Sequence, residues 1–299
     1  MFSLKSTSLV LAFCTLAART ALAASAGDFP PLSPLVRADL EKRDPASYEV
    51  FHERSNLTRR AALNGYQTRC TTHACFSFTF DDGPYSWHTK IADEIASIGT
   101  HATFFVNGNN YQCIYDKEAV AALKYSYSRG HQICSHTWSH PDIMTLSRAQ
   151  LDKQVTLVED ALYKILGVVP ACIRPPYGSI DDATVKYLND KHGLVVVGWT
   201  GDEGDTKDAD GASVSYSLNQ YRKLKAPKHV IMLNHETVPT TSSKVIPQAI
   251  HIVQDNGYQP QYMGTVSETL GFAPYKVKGT PGKRDSTWTC AGKPQPGNN

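Results

Sequence analysis

The chain has 299 residues, and its 30 basic and 28 acidic side chains leave a formal charge of +2. With charge so near balance and no dense basic run, nucleic acid is a poor candidate partner. No stretch is long and apolar enough to cross a bilayer, so no membrane partner is expected, and the patterned part of the sequence suits one globular domain.

At the start, Lys5 precedes an apolar run from Leu9 to Leu16, and Ala21-Leu22-Ala23 forms a small-residue cleavage site before Ala24. Residues 1–23 read as a secretory signal peptide, which predicts a protein secreted to the extracellular space or cell wall. Residues 24–66 are rich in Pro, Arg and Glu and lack sustained periodicity. Their dibasic pairs, Lys42-Arg43 and Arg59-Arg60, mark either a trimmed pro-segment or an exposed linker. Asn56-Leu57-Thr58 is a glycosylation sequon, usable where exposed.

Secretion changes what the cysteines mean. Cys14 leaves with the signal, and Cys70, Cys75, Cys113, Cys134, Cys172 and Cys290 remain, an even number in an oxidising compartment. Disulfides are expected, and no pair has metal-finger spacing. Residues 276–299 turn to Lys, Gly and Pro. Such a polar tail cannot pack itself, so Cys290 is expected to tie it back to Cys70 or Cys113. Cys134 and Cys172 fall on successive strands and read either as a pair or as two small buried thiols.

Between residues 67 and 275, strand-like runs alternate with helical patterns. The runs are "CFSFTF", "ATFFVNG", "HQICSH", "ACIRPPYG", "LVVVGW", "VIMLNH" and "QPQYM". Ile91, Ile95 and Ile98 share one helical face that Gly99 ends; Leu151, Val155, Val158, Leu162 and Ile165 mark a longer helix ended by Gly167. Short apolar strands linked by helices predict an α/β fold with a parallel sheet covered on both faces. Seven such units favour a distorted barrel over an open doubly wound sheet.

In such barrels chemistry gathers where strands end. Asp81 and Asp82 follow the first strand, His136 and His140 the third, and Arg174 and Tyr177 the fourth. Asp202 and Asp205 follow the fifth, and His235 ends the sixth. In "SHTWSHP" two histidines stand four apart, which one helical turn would bring to a shared metal ion. Thr137 occupies the position where the metalloprotease motif needs Glu, so that reading is set aside. Two His and one carboxylate make a catalytic zinc set with room for water. Adjacent strand residues point opposite ways, so of Asp81 and Asp82 one can bind metal and the other stay free as a base. Trp138 and Trp199 read either as platforms for sugar rings or as barrel core.

"TFDDGP", "SHTWSHP", "RPPYG", "WTGDEGD" and "IMLNHE" stand in the order of the five motifs of the NodB-homology polysaccharide deacetylases, carbohydrate esterase family four. Over about residues 72–272 the chain resembles that family, and its motif loops resemble the fungal chitin deacetylases most. The resemblance implies a distorted (β/α)7 barrel, a Zn²⁺ ion (with Co²⁺ or another divalent metal as the alternative), and hydrolysis of N-acetyl groups on chitin or chitooligosaccharides. Carried over by motif, Asp81 is the expected base, and Asp82, His136 and His140 the expected metal ligands. Arg174 would hold the base, and the Tyr177 backbone N–H would bind the oxyanion. His235 would be the general acid and Asp205 its partner, while Leu233 would line the acetyl pocket.

Two departures stand out. Thr206 follows the second Asp of the fourth motif where Trp is common, and Glu236 follows His235 where Asp is common. Glu203 and Asp208 add acids that leave the partner of His235 open. The expectation is a monomeric enzyme; the alternatives are an acetylxylan esterase and a non-catalytic carbohydrate-binding relative.

Overall fold

The computed structural model describes residues 63–296 apart from 73 and 208–211. The signal peptide, the dibasic pairs, the sequon, His73 and Asp208 lie outside the described residues. Eight parallel strands form one sheet: β1 (Tyr66–Gln67), β2 (Phe76–Gly83), β3 (Thr103–Val106), β4 (Gln132–Ser135), β6 (Cys172–Ile173), β7 (Val195–Val197), β8 (Gly201–Asp202) and β9 (Val230–His235). Their spatial order is β1-β7-β6-β4-β3-β2-β9-β8. The edge strands β1 and β8 do not pair with each other, so the barrel is open. A separate antiparallel pair joins β5 (Val168–Pro170) to β10 (Tyr275–Lys278).

The α/β class and the distorted barrel are as expected, with one correction among the strands. The run "QPQYM" forms a turn of 3-10 helix over Pro260–Tyr262 and meets the sheet only through a single bridge from Met263 to Phe76. Pro260 explains this: it has no N–H for a ladder, and its φ suits the first residue of a helix. The two-residue strands β1 and β8 bring the sheet to eight.

The helices follow their sequence signals. α1 (His88–Ala96) buries Ile91 and Ile95, and α2 is Lys117–Ser128. α3 (Arg148–Leu166) opens on a Ser147–Gln150 capping box and closes on Gly167 at φ 74°. That left-handed geometry favours glycine. α4 is Asp182–His192, α5 Val214–Arg222, α6 Ile246–Asp255 and α7 Val266–Leu270.

β2 shows how the layers are built. Phe76, Phe78 and Phe80 face the helices and pack with Ile91, Ile95, Tyr221 and Ile250. The alternate residues are polar yet equally buried, because they face the barrel interior. Ser77 bonds Thr269 at 2.8 Å, and Thr79 donates to the Met232 carbonyl at 2.6 Å. Inside the barrel, Phe105, Val195, Val197 and Ile231 pack with Val266 and Leu270 of α7. The backbone N–H groups of Val266 and Ser267 donate to Thr103 and Gln132, the first residues of β3 and β4. α7 therefore closes the N-terminal end of the barrel, and the opposite end stays free for chemistry.

All six cysteines of the described residues are paired, as Cys70–Cys75, Cys113–Cys290 and Cys134–Cys172. The tail cysteine thus closes on Cys113, one of its two expected partners. Cys134 and Cys172 bridge the adjacent strands β4 and β6.

Candidate active site

β2 runs straight into the site. Asp81 stands in register with Phe105 of β3 and His235 of β9. A bulge then shifts the register between Asp81 and Gly83, and Asp82 adopts φ 71°. A regular strand would send the two carboxylates to opposite sides, as expected from sequence. The bulge overturns this. His136 Nε2 lies 3.7 Å from Asp81 Oδ2 and 3.7 Å from Asp82 Oδ1, so both carboxylates face one centre.

The His136–His140 segment is also not the expected helical turn. It is an irregular loop in which Thr137 and His140 take φ 68° and 57°. These left-handed residues fold the loop tightly, and the two imidazole centroids still come within 4.8 Å. His136 Nδ1 donates to the Arg174 carbonyl at 2.8 Å. That bond selects the tautomer and leaves the Nε2 lone pair directed inward. His140 Nε2 lies 3.3 Å from Asp82 Oδ1.

The ligand atoms of Asp82, His136 and His140 all lie within 4.8 Å of one another, so the three could hold a metal ion. Their electrostatics fit one. Burial pulls both imidazoles down to about 3, so they are neutral, as metal ligands must be. Burial likewise pushes Asp82 up to about 7, with the His235 charge opposing it. A divalent cation would supply the opposite charge that this carboxylate lacks. A second cluster, Cys70, Cys75 and His229, cannot serve in this way. Its two sulfurs are joined in a disulfide, and His229 Nδ1 donates to the Cys70 carbonyl at 2.9 Å.

Asp81 has a different environment. Burial raises its pKa, and the charge and hydrogen bond of Arg174 pull the other way. Arg174 is fully buried and donates to Asp81 Oδ1 at 2.8 Å, Thr79 Oγ1 at 2.7 Å and the Gly198 carbonyl at 2.9 Å. Its guanidinium carbon sits 4.1 Å from the centroid of the Phe105 ring. With its fork fixed on three sides, Arg174 holds one Asp81 oxygen and leaves the other turned toward His136.

Across the mouth, His235 Nδ1 donates to Asp205 Oδ1 at 2.7 Å, and the His235 backbone N–H donates to Oδ2 at 2.7 Å. Burial disfavours the imidazolium, but the Asp205 bond and the charges of Asp205, Asp82 and Asp81 outweigh it and push His235 up to about 10. Asp205 is thus the partner among the acids left open from sequence. Asp202 is exposed and caps the Gly204 N–H at 2.7 Å. Glu203 is buried beside Asp205, and burial raises its pKa well above the carboxylate range. Glu236 turns away into the protein. It accepts from the Tyr85 backbone N–H at 2.6 Å and bonds His88 Nδ1 at 2.7 Å.

The remaining expected residues differ in exposure. Tyr177 is 70% exposed at φ 61°, its ring 4.7 Å from that of His140. Leu233 is buried on β9, and Trp199 is half-buried against Gly178. Trp138 is fully buried, so of its two readings the core one holds. Sequence reasoning missed two asparagines. Asn107 Nδ2 donates to the His136 and Thr137 carbonyls at 2.6 and 3.0 Å, and Asn110 Nδ2 reaches Asp82 Oδ1 at 3.4 Å. Their signal was "NGNN" directly after a strand, which reads equally well as an ordinary turn.

The site can be set beside known proteins. A family model described as polysaccharide deacetylase matches residues 68–197. A chitin deacetylase from Pestalotiopsis sp. is 35% identical over 198 residues, covering 66% of this chain and 65% of that protein. The chain therefore spans just under two thirds of that relative's length. A chitin deacetylase from Colletotrichum lindemuthianum is 30% identical over 225 residues, covering 74% of this chain and 89% of that protein. The solved structure of a chitin deacetylase from the same fungus superposes with a TM-score of 0.64 at 28% identity, over 72% of this chain and 97% of that one.

Proposed function

The chain belongs to the polysaccharide deacetylase family, and on that footing we propose that it is a secreted, metal-dependent hydrolase that removes N-acetyl groups from N-acetylglucosamine residues of chitin or chitooligosaccharides, giving chitosan and acetate. The observation that carries this reading is the meeting, at one barrel mouth, of three different kinds of group. These are the ligand set Asp82, His136 and His140, a second carboxylate held by a buried arginine, and an imidazolium held by a carboxylate.

Two neutral imidazoles and a carboxylate suit Zn²⁺, or Co²⁺ in its place, better than Mg²⁺, which prefers oxygen. When bound, such an ion acidifies water toward neutral pH and polarises a carbonyl. Asp81 takes the proton of the attacking water through the oxygen that Arg174 leaves free. The Tyr177 backbone N–H donates to the acetyl carbonyl oxygen as negative charge builds there. His235, charged because Asp205 holds it, gives its proton to the departing amine. Leu233 packs on the acetyl methyl, and Trp199 offers its half-buried ring to the sugar.

The acid is the reason to prefer an amide. An amine leaves poorly unless protonated, so amide cleavage needs an acid more than ester cleavage does. Two relatives described as chitin deacetylases support the same choice. Three disulfides agree with an oxidising compartment, and no helix among the described residues is long and apolar enough to cross a membrane.

Acetate release from chitooligosaccharides of four to six units, compared with acetylated xylan, tests the reading. The expected result is a higher kcat/KM on the chitooligosaccharides and loss of release on adding a chelator. Strong xylan activity with none on the oligomers would overturn the substrate, and binding without release from any glycan would overturn the enzyme.

The acid can be tested separately. Because the Asp205 contact and nearby carboxylates hold His235 up at about 10, Asp205→Asn should move the alkaline limb of kcat/KM to lower pH. A cation on the triad lowers the starting point of that limb but not the direction of the shift. An unmoved limb in the pH profile would remove Asp205 from its role.

A further inference from the structure

The loop that carries His136 and His140 is built from strained backbone. Thr137 and His140 sit at φ 68° and 57°. Non-glycine residues hold such angles only where surroundings over-determine them. Part of that surrounding comes from the neighbouring elements of the barrel: Asn107 Nδ2 donates to the His136 and Thr137 carbonyls. The Gln154 side chain accepts from the Ser139 N–H and donates to Ser139 Oγ, both at 2.8 Å.

The rest comes from the other end of the chain. Trp138, midway between the two histidines, is fully buried, with its ring laid on Gly108, where even a Cβ would come within 1.9 Å of it. Its indole N–H donates to the Pro294 carbonyl at 3.0 Å. The Asn109 backbone N–H donates to the Trp138 carbonyl at 2.6 Å, and Asn109 Nδ2 reaches the Pro294 carbonyl and Gln295 Oε1, both at 3.1 Å. The ammonium of Lys293 lies 5.2 Å from the centroid of the Trp138 ring. Four residues before Pro294, Cys290 is joined to Cys113, and Trp288 is buried on Tyr115 with centroids 5.7 Å apart.

We infer that residues 288–296 form a disulfide-anchored strap that positions the metal-ligand loop, with the Pro294 carbonyl acting through Trp138 and Asn109. This rests on the triad being the metal site. A buried indole N–H and a buried amide require acceptors, and here one tail carbonyl serves both. The Cys113–Cys290 bond, together with Trp288 buried on Tyr115, keeps that carbonyl in place. Trp138 and Asn109 are positioning residues: both are buried and neither belongs to the ligand triad, and they set where His136 and His140 present their nitrogens.

Three proteins test this: the chain ended after Ala291, which keeps Cys113–Cys290 and Trp288; Trp138→Phe, which keeps a ring on Gly108 but loses the N–H; and both changes together. Each is stripped of metal and titrated with Co²⁺, following the visible d–d bands. Circular dichroism and thermal unfolding of the metal-free proteins are followed alongside. The expected result is unchanged secondary structure, a Co²⁺ affinity lower by about 10- to 100-fold, as for other partners of metal ligands, and altered bands in both single variants. The double variant should lose no more than the shortened chain alone, because the N–H bond that Trp138→Phe removes is already gone with Pro294. Unaltered affinity and bands in the shortened chain, or additive losses in the double, would overturn the strap while leaving the metal site intact. An unaltered protein that takes no Co²⁺ would overturn the metal reading and the strap with it.

Discussion

Asp81→Asn is expected to leave the fold and the metal in place and to lower kcat by about 10² or more, the range for a removed general base. The substitution is nearly isosteric, so Arg174 can still donate to the side-chain oxygen now 2.8 Å away. The three ligand atoms of Asp82, His136 and His140 are untouched. Only the capacity to take a proton is lost. Metal content by elemental analysis, measured beside turnover on a chitooligosaccharide, separates the roles of the two adjacent aspartates. Near-normal turnover with full metal would show that another group is the base. Loss of metal would show that Asp81 is itself a ligand, through the oxygen that lies 3.7 Å from His136 Nε2.

The second large effect belongs to Arg174→Met. Arg174 and Asp81 are both buried, and removing one member of such a pair costs about 3–5 kcal/mol because the other charge is left uncompensated. Adding Asp81→Asn should therefore restore part of the stability lost. A double variant no more stable than Arg174→Met would mean that the loss is one of packing over Phe105.

The pH dependence gives an independent check. Burial already raises Asp81, and without Arg174 it rises further. A carboxyl raised on folding binds more protons in the folded state, so stability falls as pH climbs above the unfolded value near 4. The deficit of Arg174→Met should thus be largest near neutral pH and shrink toward pH 4, measured by urea unfolding with chelator present. A pH-independent deficit would point to a cavity. In turnover, the acid limb should move to higher pH, since the base is then protonated over a wider range.

Much of this was legible before any coordinates. Phe76, Phe78 and Phe80 marked a strand by their alternation, and Gly167 marked a helix end by its place after an apolar stripe. These signals are local: the period of side chains along a strand or helix is set by backbone geometry and needs no partner. The site residue types were legible for a related reason. Strand ends of a parallel α/β barrel converge on one mouth, so Asp81, Asp82, His136, Arg174 and His235 could be grouped by position alone.

Other features depended on partners far away in the chain. "QPQYM" has apolar and aromatic residues at strand-like spacing, but Pro260 and the neighbours available made it a 3-10 turn. The expected opposition of Asp81 and Asp82 failed because a bulge against β3 turned both toward His136. The expected helical turn between His136 and His140 failed because Thr137 and His140 take left-handed angles held by Asn107, Gln154 and the tail. The choice of Asp205 over Asp202 for His235 depended on which acid folded under the ring. Sequence by itself determined the class of fold, the residue types of the site and the even number of cysteines from Cys70 onward. Tertiary structure alone decided which carboxylate faces which imidazole, which cysteine closes the tail and what braces the ligand loop. The reason is physical: periodicity and turn chemistry are nearest-neighbour properties of the chain, whereas strain, pairing and pKa depend on groups brought together only by folding.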